Sequence, residues 1–172
     1  MDFVYLLILA VISRLVPHPA NLAAVGGLTI FSAKRYSIWF ALALLICAMV
    51  ITDIFLGFGK TTFWVYSGML GYVFAGRLIS NKASYFYAPI IGSVFFFLVS
   101  NFGVWIEGWY PMTFAGLMTC YIAAIPFFQN TLISDLVFCL GAFAFVAIYE
   151  KYKYRGGILW RRKLPKPILM KK

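Results

Sequence analysis

The side chains of this sequence that stand out as candidates for chemistry are polar or aromatic residues in or beside long apolar runs. They are Arg14, His18, Asn21, Asp53, Asn101, Trp105, Trp109 and Asp135. An ionisable group in the middle of a bilayer costs about 2.5–3.5 kcal/mol on insertion scales, so such groups usually face a protein interior and find a partner. Two interpretations follow. Arg14 pairs structurally with Asp53 or Asp135, or these residues line an outward-facing pocket for a small polar molecule.

Known catalytic motifs do not occur among these residues. The sequence has no HExxH, no G-x-S-x-G, no P-loop and no GxGxxG motif. Asp53 and Asp135 could form a carboxylate pair of the intramembrane aspartyl protease kind, but neither lies in a recognisable setting for it. His18 is the one histidine, and the cysteines have no CxxC spacing, so no metal site is indicated. We predict a protein that is not an enzyme and needs no cofactor or metal.

The composition indicates the environment of the helices that must position these residues. Of the 172 residues, 63% are hydrophobic, 20% aromatic and only 12% charged, against a usual charged share of about 25%. The apolar runs are continuous, whereas membrane β-barrels need alternating strands. The sequence therefore predicts an all-α polytopic membrane protein and excludes a water-soluble enzyme and a disulfide-stapled secreted domain.

The net charge of +10 is concentrated at the C-terminal end. Residues 151–172 hold nine of the 15 basic residues and no acidic one. Such a segment could bind nucleic acid, but behind an apolar chain it is typical of a cytoplasmic tail that contacts anionic lipid headgroups. We therefore predict a transmembrane helical bundle over residues 1–150 and a basic cytoplasmic tail over residues 151–172, with no nucleic-acid partner.

The charge distribution also selects a topology. Seven apolar runs are present, at about 3–16, 22–33, 37–56, 63–79, 86–104, 112–128 and 131–149. If all except 112–128 cross, Lys34, Arg35, Arg77 and Lys82 join the tail in the cytoplasm, as the positive-inside rule requires. Proline residues before and within 112–128 also mark that run as irregular. We predict six transmembrane helices, both termini cytoplasmic, and a re-entrant or loop helix within 105–128 before the last span.

This topology places the rare polar residues on one side of the membrane. Arg14 ends the first helix on the outer side, and His18 and Asn21 follow in the first outer loop. Asp53 lies at the outer end of the third helix, and Asp135 lies one turn into the last. In the fourth helix, Ser67, Gly71 and Ala75 form a small-residue stripe, which suits helix packing or the docking of a partner subunit.

Four segments of the sequence resemble a known group of proteins. They are Arg14–Asn21 (RLVPHPAN), Asp53–Gly57 (DIFLG), Ser100–Trp105 (SNFGVW) and Ala124–Leu136 (AIPFFQNTLISDL). Over residues 1 to about 150 the chain resembles an uncharacterised family of bacterial inner-membrane proteins. That family is in turn similar to the S components of energy-coupling-factor transporters, six-helix subunits that bind vitamins and related micronutrients.

The resemblance implies a function and a set of partners. In S components the substrate sits in an outward-facing pocket, and a transmembrane coupling subunit with two ATPases supplies the energy. One position departs from their pattern. The A-x-x-x-A spacing of the first helix is absent, because Leu6 and Arg14 stand four positions either side of Ala10.

On this basis we expect a substrate-binding subunit for uptake of a small polar, vitamin-like nutrient, located in the bacterial inner membrane. The alternative is a structural or assembly membrane protein without a ligand. The expected roles are first-loop contacts for Arg14, His18 and Asn21, pocket carboxylates for Asp53 and Asp135, and a lid for Asn101, Trp105 and Trp109.

Overall fold

A computed structural model describes residues 2–81 and 83–155 of the chain. These residues form six α-helices and one π-helical turn, and within the same ranges there is no β-strand. The helices are α1 (Phe3–Leu15), α2 (Val25–Arg35), α3 (Ile38–Leu56), α4 (Thr62–Arg77), α5 (Ser84–Val104) and α6 (Phe114–Arg155), with the π-helix at Trp105–Trp109 between the last two. The predicted all-α class is confirmed.

Three segments of these helices are long and apolar enough to span a membrane. They are Ile38–Leu56, Ser84–Trp109 and Phe114–Tyr152. Helix α1 is also apolar but shorter. Many large apolar side chains lie exposed on the helix surfaces, including Phe55, Phe74 and Phe114. An exposed apolar surface of this extent is expected of a protein surrounded by lipid.

Helix α2 lies at the centre of the fold. Every residue from Val25 to Ala33 is buried, and α2 contacts each of the other five α-helices. Small residues allow this close packing: a Cβ on Gly76 of α4 would lie 2.6 Å from the Ile30 carbonyl oxygen. The structure therefore buries this short helix along almost its whole length.

Helix α6 corrects the predicted re-entrant or loop helix. Residues Phe114–Arg155 form one continuous helix of 42 residues, with Pro126 inside it. The predicted break before the last span is therefore wrong. A proline removes one backbone N–H, but such positions are tolerated in membrane helices where neighbours compensate. Gln129 and Asn130, which separate the two apolar runs, are part of the helix, and Asn130 donates to the Ala20 carbonyl at 3.0 Å.

The two ends of the bundle carry different ion pairs. Arg14 at the end of α1 lies 2.8 Å from Asp53 near the end of α3. At the opposite end, Arg35 of α2 lies 2.8 Å from Glu150 of α6. Most of the predicted basic tail, residues 156–172, lies outside the described residues, as does Lys82.

The small-residue stripe of α4 lies inside the bundle. A Cβ on Gly71 would overlap the Phe95 ring of α5, and Ala75 is buried. A Cβ on Gly68 would lie 3.1 Å from the Phe96 ring. Gly71 and Ala75 of the stripe therefore serve helix packing inside the bundle.

Candidate functional site

A cavity of about 270 Å³ lies at the end of the bundle where α1 and α3 end. Its lining combines polar and apolar side chains from all six α-helices and the first loop. The polar ones are Arg14, His18, Asn21, Tyr72, Thr131 and Asp135, and the larger apolar ones are Val25, Leu56, Val65, Met69 and Phe96. Four of the eight predicted site residues thus line one cavity. Such a mixture, with a few polar groups in an apolar wall, is typical of small-molecule sites.

Arg14 and Asp53 form the ion pair at the edge of this cavity. Arg14 Nη1 lies 2.8 Å from Asp53 Oδ1 and also donates to the Thr52 hydroxyl. The Tyr66 hydroxyl donates to Asp53 Oδ2 at 2.9 Å. The Asp53 side chain is only 5% exposed and the Arg14 side chain 21%. The predicted pairing is confirmed with Asp53 as the partner, and the charge of Arg14 is balanced within the protein.

Asp135 is the second carboxyl group at the cavity, and it is 2% exposed. Its Oδ2 lies 2.7 Å from the Ser93 hydroxyl of α5. The Tyr72 hydroxyl and the Gly27 backbone N–H also hydrogen-bond to it. Gly26 is needed here, because a Cβ at that position would overlap Asp135 Oδ1. Three helices therefore supply the donors that hold this carboxyl group in place.

The loop between α1 and α2 forms one wall of the cavity. His18 Nδ1 lies 2.7 Å from the Pro19 carbonyl oxygen, and Asn21 adopts a positive φ of 66°, a conformation that asparagine tolerates better than most residues. Helix α6 anchors the loop, because Asn130 donates to the Ala20 carbonyl at 3.0 Å. The loop and α6 therefore hold His18 and Asn21 at the cavity together.

The three predicted lid residues lie elsewhere. Asn101 donates to the Phe97 carbonyl within its own helix at 2.8 Å. Trp105 donates to the Pro111 carbonyl at 3.0 Å, and Trp109 is 68% exposed. None of the three lines the cavity. The structure brings the first-loop residues and Asp135 together but not the lid.

Tyr72, Thr131 and Phe96 also line the cavity and were not predicted from the sequence. Thr131 lies four positions before Asp135 and so shares its helix face, which is a signal the sequence contained. Tyr72 and Phe96 look like ordinary apolar positions in their helices. In the described part of the chain, no three His, Cys, Asp or Glu side chains come together in a metal-binding group.

Comparison with protein families identifies where the chain belongs. Residues 1–159 match the family described as "Family of unknown function (DUF6580)". The chain is a member of this family. Comparison with curated proteins and with solved structures found no match.

Proposed function

We propose that this DUF6580 protein binds a small polar molecule at its outer end and serves as the substrate-binding subunit for uptake of a vitamin-like nutrient. The observation that carries the proposal is the cavity of about 270 Å³, which Arg14, His18, Asn21 and Asp135 line together. Its volume is near the lower end of the range of about 300–1,000 Å³ for ligand pockets. A small metabolite fits that volume better than a large cofactor.

The proposed setting is the bacterial inner membrane, with six crossings and both termini cytoplasmic. Helix α6 supports six crossings. Asn130 contacts the first loop, and Glu150 pairs with Arg35 at the opposite end. The 20 residues between them span about 30 Å, the thickness of the hydrocarbon core. One crossing therefore uses the second half of α6.

The first half of α6 stays near the outer end of α5. Tyr121 donates to the Leu98 carbonyl at 2.7 Å, and the Cys120 thiol contacts the Asn101 carbonyl at 3.4 Å. These contacts favour a first half that does not add a crossing. Lys34 and Arg35 then lie at the same end as Glu150, which is the cytoplasmic end by the positive-inside rule.

A transmembrane coupling subunit and two ATPases remain the proposed partners, from the resemblance to S components. In S components the coupling subunit is expected to dock on the A-x-x-x-A spacing of the first helix. Here the corresponding positions Leu6 and Ala10 are buried in the bundle. The exposed face of α1 instead carries Val4, Tyr5 and Ile12. A coupling subunit would therefore dock on a different surface from the one the family pattern implies.

A structural role is the second candidate, and a specific observation favours it. Arg14 is paired with Asp53, and Asp135 already has hydrogen-bond donors from Ser93 and Tyr72. Polar groups satisfied in this way hold helices together without a ligand. In that case the protein would serve the assembly or packing of a membrane complex.

Ligand binding separates the two candidates. We expect thermal stabilisation of the purified protein by one member of a vitamin and metabolite panel, with mass spectrometry of the purified protein to identify a bound molecule. Thr131→Val should weaken that stabilisation, because Thr131 lines the cavity. Thr119→Val is the matched control, since both hydroxyls donate to a backbone carbonyl four residues earlier in α6. If no compound stabilises the protein, the structural role is favoured and the transport role is rejected.

A further inference from the structure

Asp135 forms no ion pair with the described side chains that line the cavity. Among the described residues that line it, Arg14 is the one Arg or Lys side chain, and its charge is already balanced by Asp53. The ion pairs in the described ranges are Arg14–Asp53 and Arg35–Glu150. Asp135, which lines the same cavity, belongs to neither pair.

The partners of Asp135 are all neutral donors. Its carboxyl group is held by the Ser93 and Tyr72 hydroxyls and the Gly27 backbone N–H. These donors orient the group but supply no positive charge. A buried carboxyl group ionises at a cost unless a cation lies beside it, so a ligand that brings one positive charge would offset that cost and complement this site.

Two aromatic rings at the cavity also favour a cationic ligand. Tyr72 and Phe96 both line the cavity, and their ring centroids lie 6.0 Å apart. A cation within about 6 Å of an aromatic ring centroid is attracted by the negative face of the ring. Asp135, Tyr72 and Phe96 therefore favour the same ligand charge, from three different helices.

A negatively charged ligand group would meet the opposite situation. Arg14 is the group it would approach, and Arg14 Nη1 already contacts Asp53 at 2.8 Å. A second anion there would add a net negative charge to the cavity that Asp135 also lines. The arrangement therefore disfavours anionic ligands.

We propose that the ligand of this cavity is a small cationic amine or similarly charged nitrogen compound, whose positive group pairs with Asp135 and lies against the rings of Tyr72 and Phe96. This inference rests on the proposed function and adds the charge of its ligand. The apolar wall of Leu56, Val65 and Met69 would contact the uncharged part of the molecule.

The test uses three compounds of similar size that differ in charge: phenethylamine, phenethyl alcohol and 3-phenylpropionate. Their binding to the purified full chain in lipid nanodiscs is measured by isothermal titration calorimetry at constant pH. We expect the amine to bind about tenfold more tightly than the alcohol, and the carboxylate to bind most weakly. Equal affinities, or the carboxylate binding best, would overturn the proposal.

Two variants test whether Asp135 causes the preference for the amine. Asp135→Asn should weaken amine binding about tenfold and leave alcohol binding nearly unchanged. Glu107→Gln is the control, because it removes the same charge from an exposed side chain outside the cavity lining. An unchanged amine affinity in Asp135→Asn contradicts the proposal. If that variant does not fold, the comparison of the three compounds on the unmodified protein decides.

The two proposals fail in different ways. Binding of the alcohol without preference for the amine contradicts the cationic ligand alone and leaves a binding cavity. Failure of the metabolite panel and of all three compounds contradicts the binding function itself, and with it the inference that depends on it.

Discussion

The close contact between α2 and α6 at Gly27 gives a sharp prediction for the variant Gly27→Ala. A Cβ at this position would lie 2.8 Å from both the Asp135 carbonyl oxygen and the Cys139 backbone nitrogen. Both atoms belong to the backbone of α6 and cannot rotate away. The variant therefore has to move α6 as a whole off α2, or distort one of the two helices.

The size of the effect follows from those distances. Carbon atoms in good contact lie about 3.5–4.0 Å from their neighbours, so a Cβ 2.8 Å from two backbone atoms is overpacked. Overpacking of this kind costs about 1–3 kcal/mol. Replacing a helical glycine by alanine also contributes up to about 1 kcal/mol of stability through helix propensity, which a control must remove.

Gly141→Ala is that control. Gly141 lies in α6, and a Cβ there would have no atom within 4 Å. The difference between the two variants isolates the packing cost. For a chain of this length 1 kcal/mol corresponds to about 2–4 °C, so Gly27→Ala should melt about 2–12 °C below Gly141→Ala.

Melting is measured with a thiol-reactive fluorescent dye on the purified protein. Cys120 and Cys139 are buried and free in the structure, so they react when the protein unfolds. Transition midpoints are compared at one heating rate. A midpoint for Gly27→Ala at or above that of Gly141→Ala would refute the close packing of α2 on α6.

Two further predictions concern the ion pair and the topology. Arg14→Gln leaves the buried Asp53 without its cation, so it should lower the free energy of unfolding by about 3 kcal/mol. Adding Asp53→Asn should recover part of that loss. An additive loss of stability in the double variant would contradict the pairing. In a background without native cysteines, Lys60→Cys should react with an impermeant maleimide in intact cells, and Lys34→Cys only after permeabilisation. The reverse labelling pattern would overturn the proposed outer position of the cavity.

Much of the fold and part of the site could be predicted from the sequence because scarce charges carry so much information in an apolar chain. Arg14 and Asp53 are 39 positions apart, yet both stand at helix ends on one predicted side, and they form an ion pair. Asp135, another scarce charge in an apolar run, was expected to face the protein interior, and it is buried.

Other features depend on packing that a single sequence does not encode locally. Pro126 looks like a helix end, but the apolar helix continues through it because neighbouring groups in a membrane protein can compensate for a missing N–H. The lid prediction for Trp105 and Trp109 relied on their positions in an outer loop. In the structure Trp105 donates to the Pro111 carbonyl and Trp109 is exposed, within a π-helix whose Gly108 has a φ of 82°.

The burial of α2 on all sides has a consequence for how the chain is inserted into the membrane. Its sequence contains Gly26, Gly27, Thr29 and Ser32 and ends in Lys34 and Arg35, so it would partition weakly into lipid by itself. Only Tyr36 and Ser37 separate it from α3, which is apolar enough to span a membrane. We expect α2 to enter the bilayer as a hairpin with α3 and to be stable there only after α6 has been synthesised. A ribosome-bound chain that lacks α6 would therefore expose α2 to the quality-control proteases of the membrane.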